Sequence, residues 1–294
     1  MSEDITIKDR ELESEKAVDL GGGITRVLAN NPGIMTGPGT NTYLIEGGEG
    51  IAVIDPGPDD AIHIKTIERA SSSPIKWIFV THTHIDHSPG AKLLKELTGA
   101  KVFGFDSRDG FFADVELREG STVDLGGRIT LKSVYTPGHA SNHLCYLSSV
   151  HKVIFTGDHV MSGSTVVIAP KDGDMKVYIE SLEKLKDMIV QNGDFNLIAP
   201  GHGGLISEAE VAIDEYINHR FKREEMIRRF IEQRSECTID EVVREVYKSV
   251  DKALHPIAKY SVWAHLRKLN DEKIIYSHEP DDIESVWKAW QKKD

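Results

Sequence analysis

Short runs of β-branched and aromatic residues alternate with amphipathic segments up to about residue 206. Apolar runs bounded by Gly, Pro, Asn or Asp predict strands, and segments with apolar residues every three or four positions predict helices. Strands that alternate with helices are typical of an α/β domain. The predicted strands cover residues 24–29, 42–45, 51–54, 77–80, 102–105, 129–135, 144–147, 153–155 and 197–199, and the predicted helices cover 59–70, 91–97 and 177–190.

The pattern changes near residue 207, where long helical segments replace the strands. Helices are predicted over 208–234, 238–247 and 259–269, followed by a strand pair within 274–287. This order of elements is typical of a small winged-helix-like module. We therefore predict three parts, namely an acidic and flexible leader over residues 1–22, an α/β domain over 23–206, and a helical, winged-helix-like domain over 207–294.

Charge and cysteine content exclude several classes of protein. The 294 residues include 35 Lys and Arg against 47 Asp and Glu, a net charge of −12 that argues against broad capture of nucleic acid or anionic lipid. Cys145 and Cys237 match no CxxC pattern, which excludes a disulfide scaffold or a thiolate zinc knuckle. No apolar run is long enough to cross a bilayer, and the N-terminal residues lack the apolar segment of a secretory signal. We expect a cytoplasmic protein with no membrane partner.

The unusual number is thirteen histidines, several of which follow predicted strands. The strand 77–80 leads into Thr-His-Thr-His-Ile-Asp-His at residues 81–87. Three more predicted strands lead into the turns TPGH, TGD and PGH, which end at residues 139, 158 and 202. Strand ends of an α/β sheet converge, so we expect one cleft to contain these side chains. The candidate ligands are His82, His84, Asp86, His87, His139, Asp158 and His202.

Five imidazoles and two carboxylates are too many for one tetrahedral Zn²⁺, but they suit two ions that share a bridging carboxylate. Taken alone, HxH and PGH are commonly a surface residue and a turn, and a TGD turn is commonly a backbone cap. Their joint occurrence at successive strand ends indicates a dinuclear centre. Seven ligands leave open positions for solvent and substrate, which is typical of a catalytic site.

The HxHxDH motif at residues 82–87, with Gly90 after it, resembles the signature of the metallo-β-lactamase fold hydrolases over about residues 23–204. This resemblance implies an αβ/βα metallo-β-lactamase sandwich with the site at one edge of two sheets, and two Zn²⁺ per chain. It implies that the first ion is bound by His82, His84 and His139, that the second is bound by Asp86, His87 and His202, and that Asp158 bridges them.

Departures from other branches narrow the choice of relatives. Asp158 stands where antibiotic-hydrolysing β-lactamases lack a bridging Asp, and the short interval to His202 excludes the inserted domain of β-CASP nucleases. Hydroxyacylglutathione hydrolases carry Tyr at the position of Gly204, and quorum-quenching lactonases carry Tyr at the position of Met161. Both differences disfavour membership of those branches.

The chain more closely resembles the β-lactamase-like protein 2 group. The likeness lies in residues 31–33 (NPG), 39–44 (GTNTYL) and 54–57 (IDPG), and in 216–220 (YINHR) ahead of the winged-helix-like tail. Members of that group include single-stranded endoribonucleases and fungal polyketide thioesterases. The resemblance therefore implies the chemistry and leaves the substrate open.

The leading hypothesis is a dinuclear zinc-dependent hydrolase in which a metal-bridging hydroxide attacks an ester or thioester of a small substrate. Asp86 would act as the catalytic residue that orients the nucleophile and accepts its proton. The alternatives are a metal-dependent single-stranded endoribonuclease, with single-stranded RNA as partner, and a non-catalytic nucleic-acid-binding regulator. The ligand set also accepts Mn²⁺ or Fe²⁺. We expect the C-terminal domain to form a wall of the substrate cleft or the surface of a homodimer.

Three further expectations concern residues outside the ligand set. Asp55 is either a hydrogen-bond partner of a ligand histidine or a turn former before Pro56. The basic stretch 220–229 is interleaved with Glu, which predicts a solvated, salt-bridged helix. In the tail, Trp263, Leu266 and Leu269 are expected to be packing residues.

Overall fold

The computed structural model describes residues 12–290, apart from the side chain of Asn192. The strands are β1 Ala17–Gly21, β2 Ile24–Leu28, β3 Asn41–Glu46, β4 Ile51–Ile54, β5 Ile75–Phe79, β6 Lys101–Gly104, β7 Val115–Glu116, β8 Thr122–Asp124, β9 Thr130–Tyr135, β10 Leu144–Ser148, β11 Val153–Gly157, β12 Leu197–Pro200, β13 Ile206–Ser207, β14 Cys237–Thr238, β15 Ile275–Tyr276 and β16 Val286–Ala289. The helices are α1 Ala61–Ala70, α2 Gly90–Thr98, α3 Met175–Asn192, α4 Ala209–Glu232, α5 Ile239–Val246 and α6 His255–Asp271, with a 3₁₀ turn at Lys252–Leu254.

These strands form three sheets within the described residues. The first has seven strands in the order β1 to β7, and the second has six in the order β13-β12-β11-β10-β9-β8. The strands β4, β5, β6 and β7 pair in parallel, as do β11 and β12. A third sheet of three strands, in the order β14-β16-β15, belongs to the C-terminal region. Parallel neighbours bring their carboxyl ends to one edge, which is where α/β folds place ligands.

The two large sheets enclose one apolar core, which follows from the alternation of side chains along each strand. Tyr43 and Ile45 of β3 lie in that core, and the Tyr43 ring meets Phe155 of β11 edge-on with centroids 5.2 Å apart. The intervening Leu44 lies on the opposite face, in the cluster that buries Ile67 of α1. One strand therefore supplies both the inner core and the layer under α1 and α2.

The described chain divides into two compact units. The first comprises residues 12–136, 142–165 and 185–212, and contains both large sheets. The second comprises residues 137–141, 166–184 and 213–290, and contains the third sheet. The predicted α/β fold class is confirmed. The boundaries at residues 22 and 206 stay a prediction, since the compact units interleave along the chain.

The core of the second unit is built from its helices and small sheet. The Trp287 side chain of β16 is fully buried among Val242 of α5, Leu266 of α6 and their neighbours. Trp263 and Leu269 belong to the same cluster, which confirms their predicted packing role. None of the described helices has the length and apolar character needed to cross a membrane.

The predicted leader differs from what the structure shows in its second half. Residues 1–11 lie outside the described part of the chain, but Ala17–Gly21 form β1 and pair antiparallel with β2. Leu20 is 2% exposed and joins the inner core, whereas Ala17 and Asp19 are exposed. In the sequence, residues 17–21 show only a brief alternation of apolar and polar positions next to a charged segment. Hydrogen bonding to β2 is what makes them a strand.

Candidate metal centre

The HxHxDH segment leaves β5 and folds into a tight turn before α2. The backbone N–H groups of His87 and Ser88 both donate to the carbonyl of His84, each at 3.1 Å. The Ser88 hydroxyl donates to the carbonyl of Thr83 at 3.2 Å. Such a turn points ligands that are one or two residues apart toward one centre, which neither a strand nor a helix can do.

Asp55, just after β4, orients the ligands of the neighbouring loop. Its carboxylate accepts from the Thr81 backbone N–H and the Thr81 hydroxyl, both at 2.7 Å, and from His87 Nδ1–H at 2.9 Å. Because the Thr81 hydroxyl donates to Asp55, its lone pair accepts His82 Nδ1–H at 3.0 Å. One buried carboxylate thus fixes the tautomer of two histidines, leaving each Nε2 lone pair available to an ion. Of the two roles considered for Asp55, the structure shows the first.

The turn after β12 brings His202 to the same place through contacts with the loop before β3. His202 Nδ1–H donates to the carbonyl of Gly39 at 3.0 Å. The Asn41 amide donates to the carbonyls of Pro200 and Gly203, at 3.0 and 2.8 Å. Two segments some 160 residues apart are therefore joined by hydrogen bonds to the His202 ring and to the backbone before and after it.

Four donor atoms then form a cage. Asp86 Oδ2, His87 Nε2 and His202 Nε2 make a triangle with edges of 3.4, 3.3 and 3.2 Å. Asp158 Oδ1 lies 3.3 Å from His87 Nε2 and 3.2 Å from His202 Nε2. Two ligand atoms on a tetrahedral zinc ion are about 3.3 Å apart, given Zn–N distances of roughly 2.0–2.1 Å. The donor set and its spacing fit a divalent ion.

The other two histidines of the loop adjoin this cage. His82 Nε2 lies 2.9 Å from His84 Nδ1, and the His82 and His87 rings are 4.3 Å apart. His82, His87 and Asp158 also form a group whose ligand atoms lie within 4.8 Å of one another. The first unit therefore brings together six of the predicted ligands, which are His82, His84, Asp86, His87, Asp158 and His202.

Gly201 allows this convergence because there is no room for a side chain beside the cage. A Cβ atom at this position would lie 2.7 Å from His87 Cε1 and 2.8 Å from Asp158 Oδ1. Real Cβ atoms essentially never approach so closely. The glycine of the PGH turn is thus required by the site and not only by the turn.

Electrostatics of the ligand set also favour a cation. Burial lowers the pKa of His202, but Asp158 and Asp86 outweigh burial and raise that pKa to about 10. Burial likewise lowers the pKa of His87, yet the nearby carboxylates of Asp86, Asp158 and Asp55 hold it well above its ordinary value. The carboxylates thus attract positive charge into a buried place, and a divalent ion can supply that charge in place of the two protons.

His82 behaves differently from these two histidines. Burial and the neighbouring imidazoles of His87 and His84 place its pKa well below the ordinary value. It is therefore neutral at physiological pH, which is the form that binds a metal ion.

Comparison with known proteins agrees with this geometry. A family model described as the metallo-beta-lactamase superfamily matches residues 35–202, more than half of the chain. The chain belongs to the metallo-beta-lactamase superfamily. A second model, the beta-lactamase associated winged helix domain, matches residues 238–283. The predicted resemblance, the hydrolase class and the winged-helix-like C-terminal region are thereby confirmed.

Relatives of similar length are found within this superfamily. A beta-lactamase-like protein 2 homolog from Drosophila melanogaster is 33% identical, with 88% of this chain and 92% of the relative covered. A beta-lactamase-like protein 2 homolog from Caenorhabditis elegans is 30% identical, with 87% of each covered. The crystal structure of a beta-lactamase domain protein from Burkholderia ambifaria has a TM-score of 0.81 at 18% identity, covering 97% of both chains, and so shares the fold.

The seventh predicted ligand of this metallo-beta-lactamase superfamily member, His139, belongs to the second compact unit. Its Nδ1–H donates to the carbonyl of Val167 at 2.9 Å, and the side chain is 7% exposed. Like His87 and His202, it therefore uses Nδ1 for a structural hydrogen bond and keeps Nε2 for another purpose. Its place among the ligands stays a prediction.

Sequence reasoning missed two contributors to the site, Thr81 and Thr40. Thr81 relays Asp55 to His82, and Thr40 donates to Asp86 Oδ2 at 3.4 Å. Position-specific hydroxyls of this kind have no sequence pattern, although Thr81 directly precedes the first ligand.

Two further histidines and both cysteines lie buried outside the predicted ligand set. His63 and His143 are fully buried, and each bonds a threonine hydroxyl at 2.9 Å, Thr42 and Thr136 respectively. Both cysteines are buried, and neither takes part in a disulfide.

Proposed function

We propose that this protein is a dinuclear zinc-dependent hydrolase of small esters or thioesters. The observation that carries the proposal is the cage in which His87 Nε2 and His202 Nε2 lie 3.3 Å apart and each lies 3.2–3.4 Å from a carboxylate oxygen of both Asp86 and Asp158. The Nδ1–H groups of both histidines are already bonded elsewhere. The bonded Nδ1–H groups fix both rings so that each Nε2 faces the centre, where a divalent ion can take the place of the proton that the nearby carboxylates favour. This is the configuration that a preorganised metal site requires.

Two ions are proposed because the ligands exceed one coordination shell. Asp86, His87 and His202 would hold one ion, and His82, His84 and His139 the other. Asp158 is the proposed bridge, and its support is that it takes part in the cage and also in a ligand-competent group with His82. The assignment of His139 rests on the family resemblance and on the bond that already engages its Nδ1.

Two divalent ions, when bound, supply an activated water nucleophile and a Lewis acid for the substrate oxygen. The role of the protein is to hold the two ions and to orient the attacking water. The carboxylate of Asp86 accepts from the Thr40 hydroxyl at 3.4 Å. Burial alone would raise the pKa of Asp86, but the neighbouring His87 lowers it well below its ordinary value. Asp86 is therefore an ionised acceptor at neutral pH. We assign it the role of orienting the attacking water and accepting its proton.

The surface of the loops around the ligands favours a small apolar acyl group over RNA. Ile85, between two ligands, is 85% exposed, and Ile34, in the loop that leads to Thr40, is 66% exposed. Phe112 is 75% exposed in a loop joined to the ligand loop through Asp109, which accepts from the Thr83 hydroxyl at 2.9 Å. Apolar side chains on three such loops suit an acyl chain.

A polyanion needs many cationic contacts, because its affinity comes largely from phosphate neutralisation. The protein instead has a net charge of −12, and a carboxylate stands at the Phe112 loop. Single-stranded RNA is therefore the second candidate substrate and is kept as an arm of the test.

The decisive experiment compares substrates and variants on one preparation. Acyl thioesters and esters of increasing acyl length, a lactone and a labelled single-stranded RNA are offered to the wild type, to Asp158→Ala and to Asp59→Ala. Asp59 is an exposed carboxylate of the same unit and serves as the matched control. We expect thioester or ester cleavage that rises with acyl length, is unchanged in Asp59→Ala, and falls in Asp158→Ala by more than the roughly 100-fold typical of outer-shell changes.

Metal content supplies an independent readout. Protein purified without chelator should contain about two zinc ions per chain, as two ions sharing one carboxylate require. RNA cleavage without ester cleavage would favour the endoribonuclease. Fewer than one ion in a folded protein that cleaves none of the substrates would favour the non-catalytic regulator. Activity that survives in Asp158→Ala would assign the reaction to another site.

A further inference from the structure

The turn that carries His139 is held by its own unit at two points. His139 Nδ1–H donates to the carbonyl of Val167 at 2.9 Å. The Ser181 hydroxyl of α3 donates to the carbonyl of Pro137 at 2.8 Å. The orientation of the imidazole therefore depends on where the backbone of residues 166–168 lies.

That backbone is held by side chains of the C-terminal helices. Val166 and Ile168, the two neighbours of Val167, are both bonded by such side chains. The bonds run from Arg220 Nη2 to the Val166 carbonyl at 2.6 Å, from the Ile168 N–H to Ser261 Oγ at 3.3 Å, and from Arg267 Nη1 to the Pro170 carbonyl at 3.0 Å. The winged-helix region thus fixes the acceptor of the His139 hydrogen bond from both sides.

Arg220 makes a second contact toward the same turn. Its guanidinium carbon lies 5.1 Å from the ring centroid of Tyr178 on α3. Tyr178 in turn abuts Gly138, where a Cβ atom would lie 2.3 Å from the Tyr178 Cα atom. Arg220 therefore contacts Val166, the neighbour of the Val167 carbonyl that His139 bonds, and Tyr178, which packs against Gly138 just before His139.

Arg220 is unusually deeply buried for an arginine whose partners are a backbone carbonyl and a tyrosine ring. It is 2% exposed, and within the described part of the chain no carboxylate pairs with it. Burying an unpaired guanidinium is costly, so packing alone does not account for an arginine here. The expected solvated helix is wrong at this position, although Arg228 and Arg229 do pair with Glu225 as predicted.

We propose that Arg220 is a positioning residue for His139, acting through Val166 and Tyr178 so that the imidazole presents Nε2 in one fixed orientation. The inference rests on the proposed function, which counts His139 among the metal ligands. It assigns the C-terminal region a role in metal affinity. Outer partners that orient a ligand histidine raise affinity because the unbound ligand then loses less freedom on binding.

The chain offers a matched control one turn along α4. Arg223 Nη1 donates to the carbonyl of Val246 at 2.7 Å, and the Arg223 guanidinium lies 4.4 Å from the Tyr247 ring centroid. Arg223 therefore makes the same two kinds of contact as Arg220, but toward α5 and away from residues 166–168. Loss of either arginine removes one hydrogen bond to a carbonyl and one contact with a tyrosine ring from the second unit, although Arg223 is half-buried and Arg220 is buried.

The test is zinc titration of the chelator-stripped full-length chain against a chromophoric competitor, at a temperature where every variant is folded. His139→Ala first identifies the binding step that reports on His139. Arg220→Met should then weaken that same step about tenfold, the lower end of outer-shell effects, and leave the other step unchanged. Arg220→Lys, which keeps one donor, should recover part of the loss. Arg223→Met should change neither step more than twofold.

Other results would contradict either the role of Arg220 or the assignment of His139 as a ligand. If His139→Ala weakens a step and Arg220→Met weakens neither, or weakens both equally, the inference is wrong while the ligand assignment stands. If His139→Ala alters neither step, the ligand assignment is wrong, and the inference with it. Should Arg220→Met fail to fold, Ser261→Ala makes the same test, since it removes only the acceptor of the Ile168 N–H and should weaken the His139 step alone.

Discussion

Replacing Asp55 by Asn tests the idea that the site is preorganised from behind the ligands. The change keeps the shape of the side chain but removes the charge that accepts three hydrogen bonds, two from Thr81 and one from His87. At most one oxygen remains as an acceptor, and the new NH₂ group faces a donor. We expect His87 to lose its fixed orientation, and His82 to lose the hydroxyl relay through Thr81.

The magnitude follows from the number of ligands affected. Loss of one outer partner typically weakens metal affinity 10- to 100-fold, which corresponds to about 1.4–2.8 kcal/mol. Asp55 supports two ligands, one directly and one through Thr81, so a loss near the upper end, about 100-fold, is expected. Because the carboxylate is 2% exposed and is also among the causes that raise the His87 pKa, Asn should also lower that pKa.

The assay is competition for Zn²⁺ with a chromophoric chelator, run beside urea unfolding of the metal-free protein. Asp60→Asn is the control, since Asp60 is the N-cap of α1, accepts from the Ile62 N–H at 2.8 Å, and can be replaced by an equally good capping residue. Wild-type zinc affinity in a folded Asp55→Asn protein would refute the reasoning. A loss that appears equally in Asp60→Asn would show a general effect of charge.

Three further changes probe the site and the second unit. Gly201→Ala should weaken zinc binding more than tenfold in the chelator assay, because its methyl group collides with His87 and Asp158; unchanged affinity would contradict the close approach. Glu224→Gln should lower the free energy of unfolding at pH 7 by about 2 kcal/mol, since Glu224 accepts from His265 and Lys268. Burial alone would raise the Glu224 pKa, but those partners depress it. The stabilisation is therefore present above the ordinary pKa of 4.5 and is lost as the pH falls through the lowered pKa. Urea unfolding should show a smaller difference in stability between the wild type and Glu224→Gln at pH 3 than at pH 7, and an equal difference would contradict this. Trp287→Ala should cost about 3–5 kcal/mol in the same unfolding assay, and a cost under 1 kcal/mol would contradict the burial of Trp287 in the core of the second unit.

Much of the candidate site could be predicted because its ligands lie in short local patterns. The loop 81–87 supplies four of them within six residues. The turns that end at residues 158 and 202 are recognisable because Gly, or Pro and Gly, follow a predicted strand. Asp55 was recognisable for the same reason, as a carboxylate at the end of a neighbouring strand. The C-terminal limit of the helix predicted over 91–97 was also close, since α2 ends at Thr98 and Gly99 follows it in the left-handed conformation.

Other features depend on partners that no local pattern reveals. The strand β1 exists because β2 pairs with it, and its own residues carry only a brief alternation. Arg220 lies in a stretch that reads as solvated, yet its side chain is buried against Val166 and Tyr178. The periodicity of a helix shows which residues share a face, but it does not tell whether that face meets solvent or another backbone.

The sequence by itself determined the ligand inventory, the superfamily resemblance and most of the helices and strands, because these depend on neighbours a few positions apart. Only the tertiary structure decided that His87 Nε2 and His202 Nε2 lie 3.3 Å apart, and that Asp55 fixes two imidazoles at once. Those distances depend on how β4, β5 and β12 are placed within their two sheets. Strand pairing between distant segments is a cooperative property of the whole fold, so no local pattern specifies it.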